Sequence, residues 1–77
     1  MFKLLDTVVL THDIPEAGLR RGDLGAIVEL HSPASMEVEF VAASGKTQAL
    51  LTLESRDVRE VGDKDVLAVR SLVETGG

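Results

Sequence analysis

Gly22-Asp23-Leu24-Gly25-Ala26-Ile27-Val28-Glu29-Leu30 is a glycine-bracketed turn that opens straight into a mostly apolar, β-branched run. A glycine on each side of Asp23-Leu24 supplies positive-φ or close-packed backbone at little steric cost. An incoming loop can then reverse sharply before Ile27 and Val28 enter a core. This stretch therefore reads as the turn into the central strand of a small barrel.

Working outward, residues 6–11 (Asp6-Thr7-Val8-Val9-Leu10-Thr11) are short and β-branched, which predicts a first strand buried on one or both faces. Between them and the turn, residues 12–22 carry Pro15, Gly18 and Gly22 with no steady period, so a long irregular loop is expected, with Ile14 and Leu19 tucked inward. The second strand is expected over 26–30 and ends at Pro33, which lacks a ladder donor. Residues 36–41 alternate cleanly, Met36, Val38 and Phe40 on one face and Glu37 and Glu39 on the other. A turn with Gly45 in the left-handed region then leads to a returning strand over 47–53, with Ala49, Leu51 and Leu53 opposite in facing to Gln48, Leu50 and Thr52. Residues 54–57 suit one tight helical turn, and 58–61 a fifth short strand with Val58 in the core. The expected buried set is Val28, Val38, Phe40 and Leu51.

The fold class that follows is all-β: a small SH3-like barrel of about five strands with a long first loop. It is expected to occupy residues 1–62, with a C-terminal extension over 63–77. The extension fits two templates. Asp63 as N-cap with Arg70 near the end suits a short helix, whereas the valines favour an extended segment, to which the reading leans. In either form Val66, Leu67, Val69, Leu72 and Val73 add apolar surface beyond a finished barrel, which marks them as a packing or self-association segment and makes a homodimer an expected outcome.

Composition narrows the function. The 77 residues make one domain with an economical core, and the absence of cysteine excludes disulfides, a thiol nucleophile and thiolate metal sites, pointing to a cytoplasmic protein. No apolar run reaches the length of a membrane span. Thirteen acidic against eight basic residues give a net charge of −5, which disfavours nucleic acid. With two phenylalanines and no Trp or Tyr, neither a polyproline groove nor a base-stacking platform is expected.

The order Leu4-Leu5-Asp6-Thr7-Val8-Val9, Asp13-Ile14-Pro15, Gly18-Leu19, the turn 22–28, Val38-Glu39-Phe40 and Asp57-Val58 resembles the bacterial domain of unknown function 4926. The likeness spans nearly the whole chain. It implies a small SH3-like barrel and brings no catalytic residues with it. The Gly-Asp-x-Gly turn alone is also similar to SH3-like barrels of the nucleic-acid-associated KOW type.

Chemistry-bearing residues are few. A metal or catalytic site would need His12-Asp13 and His31 to converge with a ligand such as Glu29, whereas isolated loop histidines are ordinarily solvated. Glu37 and Glu39 share a strand face, as a general acid and base would, but a solvated outer face produces the same spacing. No nucleophile elbow, P-loop or dinucleotide fingerprint occurs, so no enzyme and no cofactor are expected. Arg20-Arg21, joined by Lys46, is the densest positive charge and suits a carboxylate or phosphate. The expected function is a non-catalytic protein-binding module, the acidic partner or antitoxin-like neighbour of another bacterial protein, with Arg20, Arg21, Lys46, Glu37 and Glu39 as contact candidates. The alternative is a KOW-type nucleic-acid accessory using Arg20, Arg21, Lys46 and Arg59.

Overall fold

The computed structural model describes residues 1–72, so Val73 lies outside them. In chain order the elements are β1 (Thr7–Leu10), a 3₁₀ turn (Pro15–Ala17), β2 (Leu24–Ser32), β3 (Ser35–Val41), β4 (Thr47–Glu54), a second 3₁₀ turn (Ser55–Asp57) and β5 (Val58–Glu60). The strands form one antiparallel sheet in the order β4-β3-β2-β1-β5. All-β architecture is thus the observed class. The sheet does not close, because β4 and β5 end it on opposite sides without pairing. Among the described residues no helix is long and apolar enough to cross a membrane.

The alternation in β3 sets the inner face. Met36, Val38 and Phe40 are buried against Ile27 of β2, Leu53 of β4, Val58 of β5, and Val8 and Leu10 of β1. The first loop closes one end of this core: Ile14 and Leu19 form a β-bridge, Leu19 is buried and Ile14 packs against the cluster. On β1 the opposite face is covered too, since Val9 is buried between Leu24 and Arg59 in register. Val58 takes its place at the start of β5, held there by the second 3₁₀ turn, whose Asp57 accepts the Glu54 backbone N–H at 2.8 Å.

Two core assignments are corrected. Val28 is 38% exposed, because Gly25 and Ile27 set the inward phase of β2 and alternation turns Val28 outward. A bulge follows: Ile27 faces Val38 and Glu29 faces Glu37, which leaves Val28 unpaired and brings Leu30 opposite Met36. Leu51 does face inward opposite Val38, yet it is only half-buried, since among the described residues β4 has no neighbouring strand on its far side.

The opening turn behaves as its glycines require. Gly22 has φ +95°, and a Cβ on Gly25 would stand 2.6 Å from Val38 Cγ1 and 2.8 Å from Phe40 Cε1. The hairpin glycine, Gly45, is likewise left-handed at φ +92°. After β5, Asp65 accepts the Gly62 N–H and a two-pronged Arg59 fork at 2.8 and 2.9 Å. Residues 66–72 then run as neither helix nor strand.

Candidate functional site

The most elaborate polar arrangement grows from the opening turn. Asp23 caps its own turn by accepting the Arg20 N–H at 2.8 Å. The same carboxylate receives Arg70 of the tail, Nε to Oδ1 at 2.8 Å and Nη2 to Oδ2 at 2.6 Å, and Nη2 also donates to the Gly18 carbonyl at 3.0 Å. Such a bidentate fork combines charge with fixed geometry. The Arg70 guanidinium holds the Asp23 carboxyl below the usual range despite partial burial, and the Arg20 N–H acts in the same direction. The side chains are 29% and 16% exposed, so the pair is partly shielded from solvent. Around it lies a cleft of about 390 Å³, walled by Leu19, Leu24, Phe40 and Val41 and crossed by Ala68, Val69 and Leu72.

A second feature is the free side of β4. Among the described residues its eight residues pair only with β3, and from Thr47 to Leu53 they carry neither charge nor proline, while Leu50 is 56% exposed. The outer face beside it is acidic. Glu39 accepts the Thr47 hydroxyl at 2.6 Å, and Glu37 accepts that of Thr52. Glu29 stands opposite Glu37 in register, and His31 Nε2 lies 3.8 Å from the Glu37 carboxylate. Glu37 and Glu39 are therefore tied across strands to threonines, on the solvent side of the sheet.

The histidines do not converge. His12 Nε2 meets Asp57 Oδ1 at 2.8 Å, linking the first loop to the second 3₁₀ turn, while His31 sits on β2. Asp57 raises the His12 pKa, and the Asp57 carboxyl is itself held low, first by the Glu54 N–H and then by His12. Among the described residues no group of three or more His, Asp or Glu side chains is placed to hold a metal ion.

Of the basic candidates, Arg20 and Arg21 lie in the turn that contributes Gly22 and Asp23 to the cleft. Lys46 lies in the hairpin that contributes Ala42 and Ala43. These two segments flank one cleft. Arg59, by contrast, is committed to Asp65. In the tail, Val66, Leu67, Val69 and Leu72 are all exposed. The pair that sequence reasoning missed is Asp23 and Arg70, which are 47 residues apart. Asp23 was visible only as a turn residue, and no local pattern links the two.

A family model described as "Domain of unknown function (DUF4926)" matches residues 4–60. The chain belongs to this family. The DUF4926 match takes in every strand and Asp23 and ends before the segment that carries Arg70. No curated protein and no solved structure matches the chain.

Proposed function

We propose that this chain is a non-catalytic, cytoplasmic protein-binding module of SH3-like type, and that its docking surface is the free edge of β4 with the acidic face beside it. The strand order, with a 3₁₀ turn between β4 and β5, supports the SH3-like reading. The observation that carries the function is the edge itself. Natural sheets blunt an exposed edge with charge, proline or a cover, and β4 carries neither charge nor proline from Thr47 to Leu53, the first loop reaching it at Gln48. An extended segment of a partner would add as a further strand through main-chain hydrogen bonds. Glu29, Glu37 and Glu39 favour a basic partner, in keeping with a small acidic neighbour of another protein.

The test is a photo-crosslinking amino acid placed at Leu50, and at Val61 as control, in the intact chain in its source cells. The reading requires one basic protein to crosslink from position 50, not from 61, and to be lost when Thr52→Lys puts a charge beside the docking strand. Equal capture from both positions overturns it. The nucleic-acid alternative would need Arg20, Arg21 and Lys46 to act without Arg59. Salt-dependent binding of generic RNA or DNA is the outcome that would favour it.

A further inference from the structure

The Asp23 cleft is a second surface, which meets β4 at Gln48 and lies apart from Leu50. We infer that it is a docking site for an extended segment of another protein that presents an arginine between branched apolar residues, and that residues 66–72 occupy it in cis as a displaceable strap.

The polar half of the site is built for that group. Asp23 offers both carboxylate oxygens to Nε and Nη2 of one guanidinium, and the Gly18 carbonyl takes a third hydrogen bond. A lysine cannot reproduce this fork. The apolar half offers Leu24 and Val41 to the residues flanking the arginine, with Leu19 and Phe40 buried behind them. The strap uses that surface poorly. Val69, adjacent to Arg70, is 99% exposed, Val66 and Leu67 also face solvent, and the segment makes no strand pairing. Its arginine makes three hydrogen bonds to the domain. A segment from outside that places its apolar flanks on the cleft walls would bury what the strap leaves in water. The family match includes Asp23 and ends before the strap.

A tethered occupant acts at an effective concentration on the order of millimolar. It therefore masks the cleft from weaker or scarcer ligands and makes release of Arg70 the step that exposes the site. The tether also fixes the expected result: removing the Arg70 fork should tighten binding of an external segment by about tenfold or more.

The probe is a synthetic heptapeptide with the sequence of residues 66–72, titrated into isotope-labelled full-length chain and followed by NMR at the Gly18, Gly22, Asp23 and Leu24 amides. Arg70→Gln is expected to saturate at a peptide concentration at least about tenfold lower than wild type requires. A peptide whose arginine is replaced by glutamine should not saturate either chain. If Arg70→Gln does not fold, Arg70→Lys, which keeps the charge and loses the fork, takes its place. Equal saturation of wild type and variant, no saturable shift in the variant, or equal binding of the glutamine peptide overturns the inference. None of these results bears on crosslinking at Leu50, so the two surfaces stand or fall separately.

Discussion

Replacing Gly25 by alanine adds one carbon at the most crowded point of the sheet. That Cβ would lie 2.6 Å from Val38 Cγ1 and 2.8 and 3.0 Å from Phe40 Cε1 and Cδ1, against an ordinary carbon contact of about 3.5–4.0 Å. Neither neighbour has room to retreat: Val38 is fully buried and Phe40 nearly so. Overpacking of this kind costs about 1–3 kcal/mol. The unfolded chain loses freedom when glycine becomes alanine, which returns about 0.4–1 kcal/mol. The net expectation is a loss of about 1–2 kcal/mol, and more for Gly25→Val, whose extra methyls enter the same space. In guanidinium chloride this lowers the unfolding midpoint by roughly 0.5 M, given a slope of about 2–3 kcal/mol/M for so small a domain. Val38→Ala removes the nearest obstructing atom, so the double variant should show a favourable coupling of about 0.5–3 kcal/mol. A midpoint for Gly25→Ala at or above that of wild type refutes the packing argument.

Three further outcomes follow from the structure. Asp23, Asp57 and Asp65 have folded pKa values below the usual range, Asp65 at about 2 because of Arg59 and the Gly62 N–H. Their contribution is present above the unfolded value of about 3.9 and is lost as pH falls through the folded values. The melting temperature should therefore drop between about pH 4 and 2, and less steeply in Asp65→Asn; an unchanged acid limb in that variant removes Asp65 from the account. His12 has the opposite sign. Its pKa is raised above 6.5 by Asp57, so its contribution is complete below 6.5 and lost as pH rises through the folded value. NMR titration of the ring should show the raised pKa, and Asp57→Asn should bring it down, whereas an identical titration in both chains would contradict the pairing. Finally, Val66, Leu67 and Val69 remain exposed while Arg70 is clamped, so a tail-mediated two-fold dimer is expected in sedimentation equilibrium at micromolar concentration. A full-length monomer, or a dimer that persists when these three residues are changed to serine, excludes the tail.

The sequence made the strands legible because period-two alternation is local: Met36, Val38 and Phe40 sit on the inner face as their spacing requires, and Gly22 and Gly25 mark the turn. What stayed hidden depends on longer-range geometry. Val28 looked like core until the inward phase set by Gly25, and the bulge beyond it, turned it out. Leu51 has the right facing but the wrong position in the sheet, next to an edge that alternation cannot reveal. The open sheet is a matter of which strands meet, and neither β4 nor β5 advertises its lack of a partner. Asp23 and Arg70 escaped notice for a similar reason. Each looks ordinary in its own segment, and only the path of the tail brings the fork to the turn.

The central claim is that β4 accepts another strand, and amide hydrogen exchange over residues 47–54 tests it most directly. It is to be measured on the isolated full-length chain and on its complex with the protein crosslinked from position 50. The account predicts that alternate amides along β4, those facing away from β3, exchange freely in the isolated chain and become protected in the complex. Unchanged exchange along β4 in a complex that otherwise forms would contradict it.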